Sequence, residues 1–354
     1  MADRIHVATR KGLFEFRRDG DTFVLSRRAF LGEPVTMTLR DPRDGTLYAA
    51  LDLGHFGAKL HRSDDDGATW TEVAVPSYAG LGGDPPPALK LIWSLETGGP
   101  GELWAGTIPG GLFKSTDRGA SWTLNEPLWN EPKRAEWFGG GYDHPGIHSI
   151  SVDPRDARKI AVGVSCGGVW LSEDGGGSWR VSTKGMFADY MPPEQRENSA
   201  TQDPHRLARC RAAPDTLWVQ HHNGMFRSGD GAANWTSLTG KPSSFGFAVA
   251  AHPHDPNTAW FVTATKDERR YPVDGRFVVS RTRDGGSSFE VLSEGLPQGE
   301  CYDLVYRHGL DVDDTGACLA IGSTTGNMWV STNAGDAWRA APIHLPPIYA
   351  VRFA

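Results

Sequence analysis

Apolar residues fall along this chain in short runs, each broken after a few positions by Gly, Pro, Asn or Asp. Leu103-Trp-Ala-Gly-Thr107, Gly111-Leu-Phe-Lys-Ser115 and Trp122-Thr-Leu124 follow one another, and Ile160 to Val164, Val169 to Ser172 and Trp179 to Ser182 repeat the order. Runs of this length between turn formers predict strands, and no sustained helical period competes with them. Asp41-Pro-Arg-Asp-Gly45 and Asp153-Pro-Arg-Asp156 mark tight turns, where Pro presets the backbone and Asp bonds nearby amides.

The runs group in fours, here named A to D. In one unit A is Leu89 to Leu95, followed by the three runs quoted first. Six of the C-to-D joins share a motif. It is clearest in Ser63-Asp-Asp-Asp-Gly-Ala-Thr-Trp70, Ser115 to Trp122 and Ser172 to Trp179, and weaker in Ser228 to Trp235, Thr282 to Phe289 and Ser331 to Trp338. Successive motifs start 52, 57, 56, 54 and 49 residues apart, a period that marks a repeat architecture.

The ends complete the count. The N-terminus opens with Ile5 to Thr9 and Gly12 to Phe16, a B and a C strand, whereas Pro347 to Phe353 is an A strand with nothing after it. Joining them makes a seventh unit, one strand from the C-terminus and three from the N-terminus, and removes the open edges of a linear array. The predicted fold is an all-β, seven-bladed β-propeller of four-stranded antiparallel blades, a single domain over residues 1–354.

In each motif the Asp carboxylate serves the turn amides, Gly supplies backbone freedom and Trp packs between sheets. Asp64, Asp117 and Asp174 are therefore read as fold-forming and set aside as catalytic acids. Strand alternation places these turns on one face with the A-to-B turns. The B-to-C and D-to-A loops lie on the other, with the long insertions Pro76 to Ala88, Glu126 to Gly146, Thr183 to His205 and Lys266 to Arg276. Long loops on a rigid ring are where binding is usually built.

Composition narrows the chemistry. A net charge of -7 gives no electrostatic reason to bind nucleic acid or an anionic membrane. Without an apolar leader or a transmembrane-length segment the expected location is cytoplasmic. Cys166, Cys210, Cys301 and Cys318 form no CxxC pair and are expected as reduced core residues. Seven of the 12 histidines map to the loop face. His148 and His205 each begin an A strand in consecutive blades, while His55 and His222 occupy B-to-C loops. Four imidazoles from different blades make a candidate site for one divalent transition metal, zinc, copper, nickel or iron. A metal-free alternative has one histidine as general base, oriented by Asp203 or Glu300.

The pattern Ser-x-Asp-x-Gly-x-Thr/Ser-Trp resembles the BNR or Asp-box repeat of the sialidase-like superfamily, and the resemblance spans nearly the whole chain. Such relatives include sialidases, glucan-cleaving glycoside hydrolases, sortilin-type receptors and a photosystem assembly factor, so the resemblance implies the fold more than a reaction. Sialidases carry an Arg-Ile-Pro segment, three converging arginines and a Tyr-Glu pair. Here Arg4-Ile5-His6 lacks the proline, Arg40, Arg209, Arg307 and Arg352 lie on A segments, and Glu300 and Tyr302 are neighbours only in sequence. Glu96, Asp143, Asp203, Glu300 and Asp303 are the carboxylates for a glycosidase pair, whose spacing would set the stereochemistry. Gln220, His221, Glu300 and Tyr302 are the candidate substrate-binding residues. The expected function is a hydrolase or lyase-like enzyme acting on a small molecule or carbohydrate at a loop-face central funnel, metal-assisted through the histidines. The alternative is a non-catalytic propeller that binds a protein or peptide partner.

Overall fold

In the computed structural model, which describes residues 2–82 and 87–354, the runs form seven four-stranded antiparallel sheets. Residues 83–86 of the first long insertion lie outside the described residues. The sheets are the blades of an all-β propeller, with strand A innermost. Blade 1 pairs Ile348–Phe353 as strand A with Arg4–Thr9, followed by Gly12–Asp19 and Thr22–Ala29. This is the expected closure by both ends of the chain, in the register Ile5 to Phe353 and Ala8 to Ala350. Strands A of blades 2 to 7 are Val35–Arg40, Leu91–Thr97, Ile147–Asp153, Pro204–Arg209, Gly246–Ala251 and Leu310–Val312. No helix among the described residues is long and apolar enough to cross a membrane.

The blades hold together through buried aromatics on their B strands. Tyr48, Trp104, Trp218 and Trp260 are all but inaccessible, and each buries a large apolar face against a neighbouring sheet. The six C-to-D motifs adopt one hydrogen-bonding pattern. A Ser or Thr hydroxyl at the first position donates to the Asp or Asn at the third and accepts the amide of the fifth. The third residue in turn accepts the amide of the seventh. In the first motif the carboxylate in this role is Asp65, not Asp64, which lies one residue too early and pairs with Arg62 and Arg118 instead. The motif tryptophans then latch blade to blade: Trp122, Trp179 and Trp235 donate to Ala74 O, Asn125 Oδ1 and Ser182 O, just beyond strand D of the preceding blade.

Ser172 shows the energetic role of the turn. Its hydroxyl is buried and bridges Asp174 and the Gly176 amide, both at 2.8 Å. Ser172→Ala leaves that amide without its acceptor, and the expected loss is about 1–3 kcal/mol in urea denaturation. An unchanged midpoint would refute this role for the hydroxyl.

Candidate functional site

The mouth of the ring on the loop face is built by a repeated irregularity. In six of the seven blades the pairing of strand A with strand B slips by one residue near the start of strand A. The residues left over are Thr36, Trp93, His148, His205, Phe247 and Tyr349. A bulge of this kind re-aims one side chain relative to the pleat. It gives His148 and His205 equivalent positions in adjacent blades.

Blade 5 gathers the densest chemistry. Asp203, His205 and His222 each offer one ligand atom, and these atoms lie within 4.8 Å of one another. No other group of three or more His, Cys, Asp or Glu meets that standard among the described residues. Asp203 and His205 flank Pro204 at the start of strand A, and His222 follows strand B, Leu217–His221, with its amide donating to Asp203 O at 2.9 Å. Asp203 Oδ2 faces His205 Nε2 at 3.3 Å and His222 Nδ1 at 3.6 Å, while Oδ1 accepts the Cys166 amide at 3.0 Å.

The tautomer of His205 decides what that arrangement can do. Its Nδ1 lies 2.7 Å from the Gly246 carbonyl, an acceptor only, so Nδ1 carries the hydrogen. In the neutral ring Nε2 then presents a lone pair to the Asp203 carboxylate. Two acceptors face each other in a buried site unless a proton or a cation sits between them. His222 also turns Nδ1 toward Asp203, with Asp267 4.0 Å from its Nε2, beyond hydrogen-bond reach. A ring whose second nitrogen is held by a carbonyl or carboxylate is the usual orientation of a metal-ligating histidine.

The surroundings are close-packed. His205 stacks on Phe247, with ring centres 4.4 Å apart, and Tyr190 meets His222 edge-on at 4.6 Å. The insertion before blade 4 covers the carboxylate at Gly140, where an added Cβ would fall 2.7 Å from Cys166 Sγ and 3.6 Å from Asp203 Oδ2. Beside them Arg307 is 9% exposed, its guanidinium 4.6 Å from the centre of Trp93 and 5.8 Å from Phe247. Its Nε has no hydrogen-bond partner and no carboxylate among the described residues is within ion-pair distance.

Burial raises the cost of charge throughout this region and pushes the Asp203 carboxyl up, but the attraction that protonated His205 and His222 exert on it, with Arg307, outweighs this and holds it well below the ordinary range. Burial pushes His205 down. His148 and His308 are pushed well below the usual histidine value, by burial first and then by Arg307 for His148 and by Arg206 and Arg352 for His308. Both rings are therefore neutral in the fold but protonate in the unfolded chain below about pH 6.5. Their contribution is full above that value and is lost as pH falls, by about 1.4 kcal/mol per pH unit for each ring. The melting temperature is expected to fall steadily from pH 7 to 5, and a flat profile would count against this reading.

The structure does not gather the four expected histidine ligands. His205 and His222 come together with Asp203. His148 instead bonds Ser149 Oγ at 2.9 Å through Nδ1 and packs against Trp93, and His55 lies tilted against exposed Phe56 at the surface. Of the candidate substrate-binding residues, Gln220 and His221 are enclosed. The Gln220 amide donates to three main-chain carbonyls, and the His221 ring nitrogens lie 2.9 and 3.0 Å from the amides of Asp203 and Asn223. His221 braces the Asp203 loop, whereas Gln220 ties the B-to-C turn of its own blade to the segment before blade 6. Glu300 and Tyr302 are more than sequence neighbours, since the Tyr302 hydroxyl donates to Glu300 Oε2 at 2.7 Å, but they sit on the open surface. Asp303 is consumed by Ser323, Thr325 and Asn327. Arg307 and Asp267 escaped the ligand set because neither lies in a motif; a lone Arg just before strand A of blade 7 was the available signal.

A cavity lies away from this cluster. About 960 Å³ opens along the ring axis at the opposite end, lined by strands A and the A-to-B turns. The short A-to-B turns frame it, at the end opposite the expected loop-face funnel.

No family model matches the chain. It is 27% identical over 342 residues to a probable oligoxyloglucan-reducing end-specific xyloglucanase of Neosartorya fischeri, covering 86% of this chain and 38% of that protein. It is 23% identical over 319 residues to the photosystem II assembly lipoprotein Ycf48 of a Synechococcus strain, covering 88% and 75%. Among solved structures an ancestral GH74 enzyme superposes with TM-score 0.61 at 17% identity, over 87% of this chain and 38% of that one. YCF48 bound to D1 peptide gives 0.55 at 15%, over 87% and 82%. The chain is a seven-bladed β-propeller similar in fold to both. The propeller spans less than half the length of the curated xyloglucanases it matches, and it is related both to glycoside hydrolases and to an assembly factor.

Proposed function

We propose that the propeller is a metal-assisted enzyme of the hydrolase or lyase type, with Asp203, His205 and His222 holding one divalent transition ion at the loop-face mouth. The observation that carries this is the His205 Nε2 lone pair turned to Asp203 Oδ2 at 3.3 Å while Nδ1 is committed to Gly246 O. Two imidazoles and one carboxylate suit zinc, iron, copper or nickel and leave positions for water and substrate. Such an ion supplies a Lewis acid at the site. The chain does the rest: Gly246 O orients the His205 ring, the Cys166 amide orients the carboxylate, and Tyr190 and Phe245 wall the approach past His222. Arg307 offers a cation to an anionic substrate group. The relation to a xyloglucanase supports a carbohydrate as substrate. Titration of chelator-treated protein with zinc or iron(II) is expected to give one saturable site, and turnover of glycoside or lactone substrates only in the loaded protein. Absence of any stoichiometric ion would overturn the assignment.

A second reading is a propeller that docks a peptide. It is favoured by the match to Ycf48, which extends over 75% of that protein's length, and by exposed Phe56 and Tyr142 on the loop face. A stoichiometric partner lost on Phe56→Ala and Tyr142→Ala but kept in His205→Ala would move the assignment to it.

A further inference from the structure

The axial cavity at the turn face is a second chemical environment, separate from Asp203 and its histidines. Strand A of every blade contributes to its wall. It is closed toward the loop face by main chain and rings: His308 Nε2 lies 2.7 Å from His148 O, and Arg206 Nη1 donates weakly to the same carbonyl at 3.4 Å. At about 960 Å³ it is in the range of pockets that hold small molecules.

Its charges are not evenly matched. Near the rim the arginines are satisfied: Arg209 by Pro214 O and Ser151, Arg155 by Asp153 and Asp215. Deeper in, Arg352 pairs with Glu96 at 2.5 Å. Arg206 is not satisfied, and neither is Arg40 on the wall, whose Nε also has no partner. The 3.4 Å contact of Arg206 to a carbonyl is its one hydrogen bond among the described residues, its Nε has no partner, and no carboxylate is within ion-pair distance. Burial and the like charge of Arg352 lower its pKa to about 10, which leaves it a cation at neutral pH. Arg352 thus acts on Arg206 as a like charge within the same cavity, while Glu96 is already committed to Arg352. Asp311 is enclosed nearby, and one of its oxygens accepts the Phe353 amide. An uncompensated cation held against a like charge is costly without a counter-ion, and the planar fork of Arg matches a phosphoryl or carboxylate group in two-point fashion.

We propose that the turn-face cavity binds a small organic oxyanion, phosphoryl or carboxylate, between Arg206 and Arg352, with Glu96 and Asp311 accepting hydrogen bonds from hydroxyl groups on the same ligand. The ligand class is a phosphorylated or carboxylated polyol of monosaccharide size. The site does not depend on the metal centre, from which the His148 and His308 layer divides it.

Calorimetric titration with glucose 6-phosphate and with glucuronate separates the two sources of the anion, with glucose as the uncharged control. One of the two anions is expected to bind with unit stoichiometry and glucose not to bind. Arg206→Met is expected to weaken that binding at least tenfold, Arg206→Lys to retain part of it, and His205→Ala to leave it unchanged. Arg206→Met should also raise the melting temperature of ligand-free protein, since it removes an unmatched cation. A crystal soaked in tungstate keeps the test open if a variant does not fold, with the anomalous peak expected beside Arg206. Binding of neither anion, binding indifferent to Arg206→Met, or tungstate absent from the cavity would each overturn the proposal. Binding abolished by His205→Ala would assign it to the metal centre instead.

Discussion

A chain ending at Pro347 is expected to lose cooperative folding. The missing strand, Ile348–Phe353, is the innermost strand of blade 1 and pairs along its length with Arg4–Thr9. It also meets blade 7, where the Val351 amide donates to His308 O at 2.9 Å. Ile348, Ala350 and Val351 are fully buried. Removing the Ile and Val side chains alone forfeits about 3–6 kcal/mol of apolar burial, and the cut also bares an unpaired edge on Arg4–Thr9 facing the axis. A fold whose whole stability is about 5–15 kcal/mol does not absorb that loss. Circular dichroism melts and size-exclusion chromatography check the point: a broad transition or aggregation is expected, and a sharp melt close to that of the full chain would refute it.

Asp203→Asn is expected to reduce zinc affinity by at least a hundredfold, and His205→Ala to do the same. Each removes a ligand from a set of three, whereas loss even of an outer orienting contact typically costs ten- to a hundredfold. The informative comparison lies in chelator-treated protein. There the wild-type carboxylate faces the His205 lone pair, and an amide NH2 in its place can donate to that nitrogen. Asn at 203 should therefore be at least as stable as Asp when the ion is absent and less stable when zinc is present. His55→Ala and His148→Ala should leave zinc affinity unchanged, because neither ring reaches the cluster. Wild-type affinity in Asp203→Asn would place the ion elsewhere.

The repeat made the fold readable. A period near fifty residues, four short runs per period and the split unit at the ends lead to seven blades and to their closure without any side-chain detail. The loop face and its histidine blades followed from strand alternation alone. Side-chain direction did not. Alternation gives His148 and His205 the same status, and so does the bulge that each occupies, but one nitrogen of His148 is taken by Ser149 and its ring by Trp93. Asp203 was legible only as one candidate acid among several and as a group that could orient a histidine, and its role as the common partner of two rings requires the B-to-C turn to bring His222 back over it. Which end of the axis carries the cavity was beyond the pattern, which places strands and turns but not the packing at either mouth. Glu300 and Tyr302 illustrate the opposite case, a pair joined by a hydrogen bond but far too exposed to build a site.

The closure of blade 1 also sets a timetable for biosynthesis. Within the propeller Arg4–Thr9 is made before every other strand, and its partner Ile348–Phe353 after all of them. Neighbouring blades can form in order as they emerge, but through most of translation the nascent array has two unfinished edges, one on the first strand and one on the newest sheet. The longest-range pairing in the molecule is thus the last available, and pairing of that kind is slow. Exposed edges of this kind invite mispairing between nascent chains, so the interval before residue 353 emerges is when this protein most needs a chaperone.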